Sequence, residues 1–293
     1  MKLLGIDIGG TDIDAGLVSP DGEVLESKTW PTPFTLLDLE RILREIKHSF
    51  NDYATVGIGI PGLWDERLRR IRYAPNIAFL EEAPMGDIVE GIFPGARVHN
   101  DATVSTWGES IFGNGKEFES FLMITVGTGI GGGFYYKGEV LTGLNGFAGE
   151  IGHIPVNPNG TECGCGSRGC WETEASVKAL RRKYRQRTGR DLSGEEIALR
   201  ARQGEGEALQ VMREIGYWLG IGLGSLINIL DPPAVVIGGG LSLSFDLIED
   251  SMYEGLRDSS YVYRYSRPPI LPSRFRKKAG ILGAAAYGWK GKG

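Results

Sequence analysis

The stretch ECGCGSRGCWE, residues 162–172, carries every cysteine of a 293-residue chain: Cys163, Cys165 and Cys170. Thiols gathered this closely either pair as disulfides or hold a metal. The N-terminus, MKLLGIDIGG, has too short an apolar run before Asp7 for a secretory signal, so the chain is expected in the cytoplasm, where thiols stay reduced. An odd, tightly spaced set there suggests metal ligation before disulfides. A second group with chemistry to offer is Asn100-Asp101, directly before ATVSTWGES. Taken alone, the pair reads as the N-cap of a helix that starts there.

Glycine supplies the third signal. The chain has 45, clustered where apolar runs end: GIDIGGT at 5–11, GIGIPG at 57–62, VGTGIGGG at 126–133 and VVIGGGLS at 235–242. GIGIPG and GTGIGG both satisfy the G-x-G-x-x-G pattern of dinucleotide folds. That fingerprint needs a helix directly after the glycines, whereas FYYKGEVL after residue 133 reads as a strand and hairpin. A G-x-x-x-x-G-K-[ST] loop is absent as well, so phosphates would be held by hairpin turns whose bare backbone lets N–H groups approach anionic oxygens. The plain alternative is ordinary tight turns. Four such clusters, two of them carrying Thr hydroxyls, weigh against it.

The elements that must position these groups fall into two mixed units. Residues 3–30 read as a meander of LLGIDI, IDAGLVS and EVLESKTW, the last after the turn Pro20-Asp21-Gly22. Residues 35–50 place Leu36, Leu39, Ile42, Leu43, Ile46 and Phe50 at helical spacing, and TVGIGIPG follows as a buried strand. A second unit begins near residue 106, where FLMITVGTGIGGGFYYKGEVL repeats strand, Gly-rich turn and strand, and a helix-rich insert over about 173–230 precedes the strand AVVIGGG. No linker rich in Ser, Pro or charge separates the halves, so an extended interface with a cleft is expected.

Composition bounds the partners. With 41% hydrophobic residues, 24% charged residues and a net charge of −5, this is a soluble globular chain of about two domains. The absence of a basic block argues against nucleic acid and favours a small-molecule substrate. The apolar run IGYWLGIGLGSLINIL at 215–230 spaces Gly216, Gly220 and Gly224 like packed membrane helices. It falls short of the roughly 20 residues that cross a bilayer, and Glu214 and Asp231 bound it, so a buried helix packed closely on a neighbour is expected.

Taken together, DIGGT at 7–11, Asn100-Asp101, GTGIGGG at 127–133, and GEIGH followed by CxCGxxGCxE at 149–172 resemble the ROK family of bacterial-type sugar kinases, within the actin-like ATPase superfamily. The match runs to the GILGAAAYG segment. Its most specific element is the joined E-x-G-H and cysteine cluster. The resemblance implies an α/β fold of two actin-like ATPase (ribonuclease H-like) domains around a cleft, with a structural zinc loop. The expected small N-terminal domain is 1–105 plus 280–293, and the large C-terminal domain 106–279 carries the zinc loop 153–170. His153, Cys163, Cys165 and Cys170 form a Cys₃His set that fills tetrahedral zinc and leaves no open position, so the metal is expected to be structural.

The same resemblance implies roles. Asp101 would be the general base and a sugar ligand. Asn76, Asn100, Glu150, His153 and Glu172 would contact sugar hydroxyls, with His153 binding zinc through one ring nitrogen and a hydroxyl near C1 or C2 through the other. Asp7 would hold Mg²⁺ through water. Gly9, Gly10 and Thr11 would meet the ATP phosphates from one turn, Thr128, Gly129 and Gly131 from another, and Gly239 and Gly240 would take adenosine. Two departures stand out. Asp12 follows DIGGT where the family usually has Lys, adding a negative charge that bears on donor choice. After Asn76, Ala78, Phe79 and Leu80 replace the usual Pro-Gly-Trp, ahead of Glu81 and Glu82, which bears on sugar choice. The expected activity is glucokinase-like transfer of the ATP γ-phosphate to a hexose 6-hydroxyl. An N-acylhexosamine kinase or a non-catalytic sugar sensor are the alternatives. A ROK repressor would need a helix-turn-helix domain ahead of residue 3, and a homo-oligomer, dimer or tetramer, is expected.

Overall fold

The structure, a computed structural model, describes residues 1–74, 77–275 and 278–290. In chain order the elements are β1 (Leu3–Ile8), β2 (Asp12–Val18), β3 (Val24–Pro31), α1 (Leu36–Ser49), β4 (Thr55–Ile60), β5 (Leu63–Asp65), β6 (Arg70–Tyr73), α2 (Met85–Ile92), β7 (Arg97–Asn100), α3 (Asp101–Ile111), β8 (Ser120–Val126), β9 (Ile130–Tyr136) and β10 (Glu139–Val140). They continue with α4 (Trp171–Ala175), α5 (Val177–Thr188), α6 (Gly194–Arg202), α7 (Gly206–Leu230), β11 (Val235–Gly238), α8 (Phe245–Ser259), β12 (Ile270–Pro272) and α9 (Ala279–Trp289). The chain divides into two compact units. One comprises Met1–Glu119, Gly133–Gly149 and Lys277–Gly293; the other comprises Ser120–Gly132 and Glu150–Arg276.

In the first unit the sheet runs β3-β2-β1-β4-β7, with β1 antiparallel to β2 and parallel to β4. Alternation along β1 settles which side each residue serves. Leu4, Ile6 and Ile8 enter one apolar core with Leu39, Ile42, Leu43 and Ile46 of α1. The intervening Leu3, Gly5 and Asp7 therefore face the other way, toward α9. Gly5 and Gly57 let that helix rest on the strands, because a Cβ at Gly5 would stand 2.9 Å from the Ala285 nitrogen and one at Gly57 would stand 2.6 Å from the Gly288 nitrogen. All six residues of β4 are buried, as suits a parallel strand covered on both faces.

In the second sheet the order is β10-β9-β8-β11-β12, with β8, β11 and β12 parallel. The second unit is dominated by α7 and α8, and the glycine spacing read from sequence lies at their contact. A Cβ at Gly220 would stand 2.8 Å from the Leu256 nitrogen, and one at Gly255 would stand 3.0 Å from the Ile221 nitrogen, so two backbones meet where side chains cannot. Among the described residues no helix is long and apolar enough to cross a membrane. The grouping puts residues 106–119 and 133–149 with the first unit, where the sequence expectation had them in the second. The reason is packing: Gly108 of α3 faces Gly283 of α9, a Cβ there standing 2.9 Å from the Gly283 Cα.

Candidate functional site

In the first unit β1 carries Asp7 opposite Asp14 of β2 on one side and Gly59 of β4 on the other. Gly59 is what lets the acids gather. A Cβ there would stand 3.3 Å from Asp7 Oδ1 and 3.8 Å from Asp101 Cα. Gly280, in the first turn of α9, lies against the Asp7 carboxylate so closely that a Cβ would overlap it. Burial, then the charges of Asp101 and Asp14, push the Asp7 carboxyl up to about 7. Among the described residues, the causes that shift Asp7 are burial and two further carboxylates, an environment that a divalent cation would relieve.

Asn100 and Asp101 stand at the corner where β7 becomes α3. Asn100 is the N-cap, its Oδ1 accepting the Ala102 N–H at 2.9 Å, while its Nδ2 donates to the Gly62 carbonyl at 2.8 Å. Asp101 Oδ1 also accepts from Ala102, at 2.8 Å. The Asp101 residue keeps an accessible face, yet the protein packed around it raises its carboxyl pKa through lost hydration, against the lowering pull of the Ala102 N–H. The turn before β2 is pinned at both ends. The Gly9 N–H donates to the Asp12 carbonyl at 2.8 Å, and Thr32 Oγ1 donates to the Gly9 carbonyl at 2.7 Å. Gly10 and Thr11 are left exposed at its tip.

The second unit assembles its own cluster. Ligand atoms of His153, Cys163, Cys165 and Cys170 all lie within 4.8 Å of one another. Cys163 Sγ is 3.6 Å from His153 Nδ1, and Cys165 Sγ is 3.6 Å from Cys170 Sγ. One imidazole and three thiols at this spacing fit tetrahedral zinc. Backbone bonds build the knuckle: Cys163 N–H to the Ser167 carbonyl, Gly166 N–H to the Cys163 carbonyl, and Trp171 N–H to the Ile154 carbonyl. Gly166 and Gly169 hold positive φ there, 87° and 65°. Trp171, fully buried, anchors the far end by donating from Nε1 to the Trp218 carbonyl of α7 at 2.9 Å.

Two carboxylates converge on this cluster. Glu172 Oε1 lies 3.7 Å from His153 Nδ1 and accepts from the Cys163 thiol at 3.1 Å; Glu150 Oε2 lies 3.9 Å from His153 Nε2. The glycine-rich turn between β8 and β9 joins them. A Cβ at Gly129 would stand 2.5 Å from Glu172 Oε2, and the Val177 N–H at the start of α5 donates to the Gly127 carbonyl at 2.9 Å. Thr128 is exposed at the tip and Gly131 is half-buried in β9. Gly239, at φ 80°, closes against the Val126 backbone at the end of β8, with Gly240 exposed beside it. β9 follows the turn directly, so the helix a dinucleotide fingerprint requires is absent there.

Within each unit, then, the residues singled out from sequence come together, except that Asn76 lies outside the described residues. Sequence reasoning passed over Gly280, which has no local signal because α9 is remote in the chain. It also passed over a buried network behind Glu172: Glu174 is bonded to Lys183 at 3.1 Å and to Asn157 Nδ2 at 3.2 Å, and Lys183 also reaches Glu214 at 2.5 Å. The spacing of Glu172 and Glu174 on a short helix was its only trace.

Comparison with known proteins gives the following. The sequence model of the ROK family matches residues 3–290. A glucokinase of Streptomyces coelicolor is 36% identical over 96% of this chain and 96% of its own length. One from Thermotoga maritima is 34% identical, covering 98% of this chain and 96% of its own. The crystal structure of a ROK family glucokinase from Streptomyces griseus, in complex with glucose and AMPPNP, superposes with a TM-score of 0.87 at 34% identity, covering 99% of this chain and all of that one.

Proposed function

The chain belongs to the ROK family, and on that premise we propose that it is an ATP-dependent hexose kinase that transfers the γ-phosphate of ATP to the 6-hydroxyl of glucose. The observation that carries the assignment of residues is the Asp101 carboxylate: accessible, at the first position of α3, and raised in pKa by its surroundings. A carboxylate with raised pKa is a better proton acceptor than one at the ordinary value. Asp101 takes the proton of the attacking hydroxyl, and Asn100, locked by its two hydrogen bonds, holds a neighbouring hydroxyl. Phosphoryl transfer asks little covalent work of a protein, so aligning the hydroxyl and balancing phosphate charge supply most of the acceleration.

The turn of Gly9, Gly10 and Thr11, with Gly10 and Thr11 exposed at its tip, and the turn of Thr128, Gly129 and Gly131 meet the phosphates; Gly239 and Gly240 border the adenosine. Asp7 would hold Mg²⁺ through water, and the chemistry supplied there would be neutralisation of the phosphate charge. His153, Cys163, Cys165 and Cys170 would hold structural zinc, with His153 Nδ1, 3.6 Å from Cys163 Sγ, as its imidazole ligand. With zinc bound, the Cys163 thiolate would have no proton to donate, and the Glu172 oxygen that faces it would be left for a sugar hydroxyl. Glu150 and His153 Nε2 accept or donate to further hydroxyls, and Asn76 is assigned the same task from the family motif. The protein works in the cytoplasm as a homo-oligomer.

A coupled ADP-release assay with ATP, Mg²⁺ and a panel of glucose, mannose, fructose, N-acetylglucosamine and N-acetylmannosamine tests the proposal. The expected result is the highest kcat/KM with glucose. A preference for either N-acetyl sugar would reassign the acceptor, and no sugar-dependent ADP release would refute the kinase assignment.

A further inference from the structure

Buried between Val98 and Asn100 on β7 is His99, 1% exposed, to which the proposed function gives no part. Its Nδ1 lies 2.8 Å from the Asn100 backbone nitrogen. A backbone N–H can only donate, so Nδ1 is the bare nitrogen and the ring proton sits on Nε2. That Nε2 finds no hydrogen-bond partner among the described residues. The ring is held edge-to-face against Tyr287 of α9, centroids 5.8 Å apart at 84°, and Arg97 stands over the same tyrosine at 4.8 Å. Burial, then the charges of Lys290 and Arg97, lower the His99 pKa to about 4, so the ring stays neutral near pH 7.

A buried polar atom without a partner weighs against folding, and an apolar side chain in the same place would avoid that. The one polar interaction the ring makes among the described residues therefore stands out. Asn100 is where extended backbone gives way to helix, at φ −56° and ψ 144°. Its side chain ties the corner forward to Ala102 and sideways to Gly62. His99 ties it from behind, through the N–H that neither of those bonds restrains. We infer that His99 is a positioning residue for phosphoryl transfer: by accepting the Asn100 N–H it fixes the peptide corner from which Asp101 projects, and so the aim of the carboxylate. The inference rests on the assignment of Asp101 as the base.

Two variants test it. His99→Leu fills comparable space with no acceptor, while His99→Asn offers an Oδ1 to the same N–H. For each, kcat and KM are measured beside glucose affinity without nucleotide, the melting temperature, and the ¹⁵N shift of the Asn100 amide. Misaim of a catalytic group by about 1 Å can cost about 100-fold. His99→Leu should therefore lower kcat by about 30- to 100-fold, leave glucose affinity within about threefold and move the amide resonance. His99→Asn should recover most of the lost kcat and return the resonance toward its original position, whatever its melting temperature. Losses of kcat that follow melting temperature alike in both variants, or a His99→Leu kcat within twofold of the parent, overturn the inference. Asp101→Ala separates the two ideas: if it still turns over, the base assignment fails and this inference with it. An inactive Asp101→Ala beside a fully active His99→Leu removes only the role of His99.

Discussion

Replacing Asp7 by Asn removes one charge and almost no volume, so it isolates what burial does to that carboxylate. Burial first, then Asp101 and Asp14, raise its pKa from 3.8 to about 7. A folded-state pKa above the unfolded one means the native state binds this proton more tightly. The contribution of Asp7 to stability is then fully present below pH 3.8 and is lost as the pH rises through about 7. At about 1.36 kcal/mol per tenfold change in proton activity, ionised Asp7 weighs against folding by about 1.7 kcal/mol at pH 5 and about 4 kcal/mol at pH 8. Asn is neutral at both. The stability advantage of Asp7→Asn should therefore grow by up to about 2.6 kcal/mol between those pH values, the upper limit applying because the residue is only half-buried. Urea unfolding of both proteins at pH 5 and pH 8, without divalent cations, reads this directly, and a growth of about 1 kcal/mol or more is expected. Adding Mg²⁺ at pH 8 should restore part of the deficit in the parent and leave the variant unmoved, while turnover of the variant falls by about 100-fold or more. An advantage equal at the two pH values, or one that shrinks at pH 8, would refute the reasoning.

Three further outcomes are expected. Asp101→Ala should abolish turnover while glucose affinity stays within about tenfold, because its part is played in the transition state; titration calorimetry beside the kinetics checks this, and equal losses in both would make Asp101 a positioning group. Metal analysis of purified protein should find one zinc per chain, and chelation should weaken glucose binding while unfolding the 153–170 loop, seen as faster amide exchange there; unchanged glucose affinity after complete removal would contradict the assigned role of the cluster. Gly220→Leu should destabilise the chain by about 3 kcal/mol or more, since the new side chain meets the α8 backbone and not a movable side chain. A melting temperature within a degree or two of the parent would show that α7 and α8 can slide apart.

How far these sites could be read from sequence depends on how locally each is encoded. The meander is written in strict alternation, and Pro20-Asp21-Gly22 supplies the turn, with Gly22 at φ 84°. The metal cluster draws its four ligands from eighteen consecutive residues, 153–170, so the cysteine spacing suggested a metal and the family resemblance added His153. Asn100 shows that a structural and a chemical reading can both hold, for it is the N-cap of α3 and also the neighbour of the candidate base. By contrast, what surrounds Asp7 comes from three places far apart: Gly59 by parallel pairing, Asp101 by the corner after β7, and Gly280 by a helix near residue 280. No pattern of period two or 3.6 records such a meeting, so the raised pKa of Asp7 was out of reach. His99 was equally silent, because a lone histidine in a short strand looks like any other buried residue until its ring nitrogens are placed. The membership of residues 133–149 was obscured because the boundary between units falls inside a single strand, β9.

The seating of α9 on bare backbone at Gly5 and Gly57 has a consequence for synthesis. A ribosome emits the strands of the first sheet long before the helix that covers one of their faces, so that face must wait, with Asp7 on it, for nearly two hundred more residues. Such a long sequence separation slows folding and lengthens exposure to wrong partners. Shortening the tail within α9 should then yield protein that accumulates in inclusion bodies, even though every candidate ligand upstream is intact.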